Sequence, residues 1–312
     1  MKIKKIVPFF CVGILLLSSC KKEAPSIPCD ENNYEIDECK IGRKVLIIGI
    51  DGFRSDVMNA TNTPFLFALS GSTDTYFTGQ HKVESYTSSG PNWTSILTGV
   101  HCEKHLVEDN FFGGYDPLKF PTFFHYIEEA MPSIKTASIA HWIPLNYVII
   151  DDQSDYNPIQ LLSDLEVADR GIGMVNGSDS EESDVLFLHF DDLDHYGHAF
   201  GYHDTIPEYR QAVSTMDGYV EMLMNAVIER RNLGEDWAIF IISDHGGEGR
   251  EHSNMPNVPN VIQTIFYANH PTANFKSNYI SSQADLAPSV LSFLGIKNAG
   301  FDNIKDGNSL ID

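Results

Sequence analysis

The sequence predicts an α/β domain with a mostly parallel central sheet and helices on both faces. Three short, almost wholly apolar runs, at 45–50, 185–190 and 238–243, suit strands that are buried on both sides. Each ends directly at acidic or histidine residues: Asp51, the stretch from Asp191 to His198, and the pair Asp244-His245. Helical patterns lie between the runs. In the clearest, Tyr209, Val213, Met216, Val220, Leu223 and Val227 recur at spacings of three and four and make one apolar stripe, a core face with no cofactor role implied. Strands that alternate with helices give a doubly wound sheet, and such sheets bind ligands beyond the carboxyl ends of their strands. All three polar clusters fall at that end.

In chain order, the N-terminus comes first. Met1-Lys2-Ile3-Lys4-Lys5 and an apolar run from Ile6 to Leu17 have the form of a secretory signal, too short for a membrane span. The run closes on Leu17-Ser18-Ser19-Cys20, which resembles the lipobox of bacterial lipoproteins. That resemblance implies cleavage after residue 19, lipidation of Cys20, and a place in the bacterial cell envelope, held to the membrane by the lipid. Residues 20–43 carry Pro25, Pro28, many acids and little apolar periodicity, and read as a tether. Export permits disulfides, and Cys29 and Cys39 are the natural pair; Cys102 is left over as a buried thiol. The folded domain then spans 44–312, and residues 177–184 read as a solvated loop inside it.

With 43 acidic against 21 basic residues, the formal charge of −22 repels a nucleic-acid duplex. A small anion is still within reach if metal ions supply local positive charge. Asp244-His245-Gly246-Gly247 offers metal ligands, although a lone Asp-His pair is more often structural; the glycines are expected to turn the backbone and keep the space above both side chains open. His252 lies close enough in sequence to return to the same place. Asp194 and His198 are four apart, so one helical turn puts them on one face, but Asp191 and His195 share that spacing. The competing reading of this stretch is a solvated acidic loop. Ser89 precedes a short helix that Pro91 opens and Gly99 closes. It reads either as an N-cap or as a nucleophile at a helix N-terminus that favours anions.

Taken together these segments resemble the alkaline phosphatase superfamily, and most closely its type I phosphodiesterase and nucleotide pyrophosphatase branch. The likeness rests on Ile48-Gly49-Ile50-Asp51-Gly52-Phe53-Arg54, Thr63-Pro64-Phe65-Leu66, Ser89-Gly90-Pro91-Asn92, the segment from His105 to Asn110, Asp194-His195-Tyr196-Gly197-His198, Ser243-Asp244-His245-Gly246, and Asp285-Leu286-Ala287-Pro288. The resemblance selects Asp194 and His198 over the alternative register. It implies an alkaline phosphatase-like fold and two divalent ions, zinc by ligand type with manganese or iron also compatible. One ion would be held by Asp51, Asp244, His245 and the Ser89 oxygen, the other by Asp194, His198 and His252. Ser89 would attack phosphorus in a small phosphorylated substrate, water would then hydrolyse the phosphoserine, and Asn92 would hydrogen-bond a non-bridging oxygen.

Two departures bear on these expectations. The branch usually has Thr as nucleophile, and Ser89 leaves phosphomonoesterase and phosphonate hydrolase activity as alternatives. The branch's last metal-binding His often lies farther toward the C-terminus than His252, so His203 and His270 compete for that place. Two further rivals are a sulfatase and an inactive surface-anchored binding protein. Trp93 stands where a sulfatase motif has Arg, which an apolar ring does not replace, and a decayed site would have lost some of the ligands that are all present here. Trp93, Asn110, Trp142 and Tyr147 are the candidate pocket walls; leaving group and oligomeric state are not encoded in recognisable motifs.

Overall fold

A computed structural model describes residues 34–311. The signal, Cys20 and Cys29 lie outside the described residues, so the predicted lipidation and the Cys29–Cys39 pairing have no structural counterpart here; Cys39 itself is exposed. Among the described residues there are eight strands: β1 (Tyr34–Ile36), β2 (Arg43–Ile50), β3 (Thr75–Lys82), β4 (Thr136–Ala140), β5 (Val185–Phe190), β6 (Asp236–Ser243), β7 (Gln263–Asn269) and β8 (Ile296–Asn298). Six of them form one sheet in the order β3-β7-β6-β2-β5-β4. The adjacent strands β6, β2, β5 and β4 run parallel, and β7 is antiparallel to both of its neighbours. The mostly parallel α/β architecture expected from the sequence is the one observed.

The three apolar runs are the three central strands, and their side chains alternate between two cores. Val45 and Ile47 point to the side covered by the helices Ser89–Thr98, Phe123–Ala130 and Leu286–Leu294; Leu46, Ile48 and Ile50 point to the side covered by Asp164–Asn176 and Pro207–Asn232. Every stripe residue from Tyr209 to Val227 is buried in the last of these helices. Burial on both faces is what a parallel sheet with crossover helices requires.

The fold takes up part of the stretch that reads as tether. Tyr34–Ile36 pair antiparallel with β8, and Arg43 Nη1 donates to the Phe293 carbonyl. The three-residue strand carries no apolar alternation of its own, because its order comes from a partner more than 250 residues away in the chain.

Candidate active site

Strand register places the first group of residues. Ile50 lies beside Phe190 on one side and Ser243 on the other. The residues that follow, Asp51, Asp191 and Asp244, therefore leave the sheet at one level. Asp51 and Asp244 are buried, and each has one oxygen tied down. Asp51 Oδ2 accepts from Trp93 Nε1 at 2.9 Å with His189 Nε2 at 3.3 Å; Asp244 Oδ1 accepts from the Gly52 and His245 amides at 3.1 and 2.9 Å. The other oxygens, Asp51 Oδ1 and Asp244 Oδ2, are buried without a hydrogen-bond partner. His245 Nε2 lies 3.4 and 3.2 Å from these two atoms and 3.3 Å from Ser89 Oγ. Its Nδ1 is 2.9 Å from the Gly246 carbonyl, which only accepts, so the proton sits on Nδ1 and Nε2 keeps its lone pair.

The helix Asp192–Phe200 starts directly after β5 and brings Asp194 and His198 to one face. His198 Nε2 is 3.4 Å from Asp194 Oδ2 and 3.0 Å from His252 Nε2. Both histidines donate Nδ1–H to carbonyls, of Arg250 and Thr87, at 2.8 Å. Two lone pairs thus face each other across 3.0 Å, an arrangement that a shared proton or a bound cation relieves. The rings of His245 and His252 stack with centroids 3.7 Å apart and join the two clusters.

Burial drives the Asp51 and Asp244 carboxyls well above the usual carboxylate range, and the neighbouring carboxylates add to it. Burial likewise holds His245 and His252 below the ordinary imidazole value. Neutral imidazoles, orphaned buried carboxylate oxygens and crowded acids form a donor set that fits divalent metal ions. Asp51, Asp244 and His245 form one such group, and Asp194, His198 and His252 a second; within each group the ligand atoms lie within 4.8 Å of one another.

Some expectations change. Asn92 is fully buried, with Oδ1 accepting the Glu84 amide at 2.9 Å and Nδ2 donating to the Tyr86 and Ser88 carbonyls at 3.0 and 2.8 Å. Its hydrogen-bonding capacity holds the loop before Ser89, leaving none for a substrate oxygen. Asn110, which the sequence offers as a wall residue and as the end of the family-like segment from His105, accepts the Gly90 amide at 2.7 Å beside Ser89, so its N–H₂ is the group left to meet a ligand. Gly246 and Gly247 have no left-handed backbone; a Cβ there would sit 2.0 Å from the Asn260 carbonyl oxygen and 2.3 Å from the Tyr202 ring, so they permit close packing rather than open space. Trp93 is core, not pocket wall. Trp142 packs against Phe112, and Tyr147 is exposed. His270 pairs with Asp236 at the opposite end of β6, and His203 with its neighbours Asp204 and Thr205, so neither joins the second group. Asp191 and His195 face each other at 3.3 Å outside it. Cys102 is a buried thiol, its pKa pushed up to about 12 by burial.

The sequence pattern of the family described as type I phosphodiesterase / nucleotide pyrophosphatase matches residues 45–264. Ectonucleotide pyrophosphatase/phosphodiesterase 2 of Saccharomyces cerevisiae is 25% identical over 273 residues, covering 75% of this chain and 54% of that protein. The chain thus spans about half the length of that relative. Murine ectonucleotide pyrophosphatase / phosphodiesterase 5, an inactive form in complex with AMP, superposes with a TM-score of 0.63 at 16% identity, covering 86% of this chain and 100% of that one. The C-terminal periplasmic domain of EcEptC from Escherichia coli, in complex with Zn, superposes with a TM-score of 0.64 at 16% identity, covering 90% and 89%. These two likenesses show a shared fold.

Proposed function

Because the chain belongs to the type I phosphodiesterase / nucleotide pyrophosphatase family, we propose that it is a metal-dependent hydrolase of phosphate diesters or pyrophosphates with Ser89 as nucleophile. The observation that carries this reading is the pair of orphaned oxygens, Asp51 Oδ1 and Asp244 Oδ2, buried beside His245 Nε2 and Ser89 Oγ. Two divalent ions, zinc by ligand type, held by Asp51, Asp244, His245 and Ser89 and by Asp194, His198 and His252, would supply Lewis acidity that acidifies hydroxyl groups and neutralises a leaving oxygen.

The protein's own residues do the rest. Ser89 Oγ forms the bond to phosphorus as the bond to the leaving oxygen breaks in line, giving a phosphoserine and an alcohol or phosphate product that takes up a proton. Water then attacks the phosphoserine, releases the second product and restores the Ser89 hydroxyl. Ser89 sits at the first position of its helix, where the N-terminal dipole favours the non-bridging oxygens. With Asn110 Oδ1 taken up by the Gly90 amide, Asn110 Nδ2 is the side-chain donor assigned to them in this reading. The AMP bound to the murine neighbour supports a nucleotide-type substrate.

The test is hydrolysis of bis-p-nitrophenyl phosphate and of p-nitrophenyl phosphate by metal-loaded protein. Ser89→Ala is expected to lower kcat by roughly 10³-fold or more. Full activity in Ser89→Ala or Asp244→Ala refutes the reading. A faster monoester reaction would favour the phosphomonoesterase alternative.

Export with lipid attachment at Cys20 belongs to the same reading, supported by the N-terminal sequence. Among the described residues no helix is long and apolar enough to cross a membrane. Membrane-fraction protein that turns soluble in Cys20→Ser is the expected outcome; an unchanged distribution counts against lipidation.

A further inference from the structure

Tyr202 touches every member of the second ligand group. Its hydroxyl donates to Asp194 Oδ1, and its ring lies edge-on to His198 and His252 with centroids 5.6 and 6.3 Å away. The side chain is 1% exposed, so this contact is made without competing water. Its backbone is fixed as well: the amide donates to the Gly249 carbonyl at 2.8 Å, and its own carbonyl accepts from Arg54 Nη1. The ring fills a slot that two glycines create. A Cβ on Gly197 would fall 2.1 Å from the ring and one on Gly247 2.3 Å from it, so no side chain fits at either place while Tyr202 is present. Gly197 belongs to the helix that carries Asp194 and His198, and Gly247 follows Asp244 and His245. One ring is therefore wedged between the segments that carry the two ligand groups.

We propose that Tyr202 is the positioning residue of the second metal site: its hydroxyl holds Asp194 Oδ1, which lies 3.8 Å from His252 Nε2, and so fixes how the carboxylate faces the ion, while its ring sets the angle of both histidines. A carboxylate free to turn would otherwise lose the orientation that three ligands and an open position require. Hydrogen-bonding partners behind metal ligands typically change metal affinity by 10- to 100-fold. This inference rests on the two-metal reading of the site, and its test separates the two.

The experiment is zinc titration of the full chain against a chromophoric chelator, comparing the unaltered protein with Tyr202→Phe and Tyr202→Leu. The unaltered chain is expected to take up two equivalents. Tyr202→Phe keeps the ring and loses the hydroxyl; it should weaken one equivalent by about 10- to 100-fold, leave the other unchanged, and leave the melting temperature of the chelated protein within a few degrees. Tyr202→Leu should weaken the same equivalent further. Unchanged affinity for both equivalents in Tyr202→Phe overturns the inference while the two-metal reading stands. Equal weakening of both, with a lower melting temperature in chelator, assigns Tyr202 a general structural role and also overturns it. Fewer than two equivalents in the unaltered chain overturns the two-metal reading itself.

Discussion

Two asparagines near Ser89 hold roles that their positions in sequence do not reveal. Asn92 follows Ser89 by three residues and looks like a substrate ligand, yet it spends both ends of its amide on the 84–88 loop. Asn110 is twenty residues from Gly90 in the chain and in contact with it. Asn92→Ala should cost about 1–3 kcal/mol of stability, because it strands buried backbone groups, and leave KM of the surviving folded enzyme nearly unchanged. Asn110→Ala should lower kcat by up to about 10²-fold with little loss of stability. Denaturant melts and steady-state kinetics on the two variants would show a swapped pattern if the sequence-level assignment were right. The Asp51 and Asp244 positions are legible because each directly follows a buried strand; Asn110 and Tyr202 are not, because their contacts depend on how loops return.

The element that presents Ser89 is held from its upstream side. The loop before it carries Glu84, buried, whose carboxylate accepts from His101 Nδ1 at 2.7 Å. Hydrogen bonding and attraction to Glu84 raise His101 above its ordinary 6.5, while Glu84 is held below its ordinary 4.5 against the opposing effect of burial. The contribution of His101 is complete below 6.5 and is lost as pH rises through its raised folded value; that of Glu84 is complete above 4.5 and is lost as pH falls through its lowered one. The pair therefore supports this loop fully between about 4.5 and 6.5 and loses strength on the alkaline side. The difference in melting temperature between the unaltered chain and His101→Gln should be largest in that window and shrink above it. A difference independent of pH would mean that the charge on His101 contributes nothing. Helix Ser89–Thr98 itself was legible from Pro91 and Gly99, the latter in the left-handed conformation at the C-cap. Glu84 gives no such signal, since a buried acid looks like any surface acid until its partner is placed.

At the scale of the whole molecule, the two clusters of candidate ligands set the fold against itself. Asp51, Asp244 and Asp194 repel one another, and His198 and His252 face each other with lone pairs. Bound ions would remove that conflict, each contributing about 4 kcal/mol at a thousandfold excess over Kd. Chelation should lower the melting temperature by on the order of 10 °C, and zinc should restore it. In chelator, Asp51→Asn should melt above the unaltered chain, and it should gain little from zinc. Equal melting temperatures with and without chelator would remove the ions from the stability of the fold. The parallel centre of the sheet was readable from its apolar runs. The direction of β7 was not, because an apolar strand has the same composition whichever way it runs.

The short pairing of β1 with β8 also fixes where the described chain enters the domain. It lies at the amino end of β2, where Arg43 meets the end of the Leu286–Leu294 helix, whereas Asp51 and Ser89 stand at the carboxyl end. Eight residues of extended chain separate the two ends by roughly 26 Å. A leash through Cys20, if lipidated as proposed, would join the domain at the end of the sheet opposite Asp51 and Ser89.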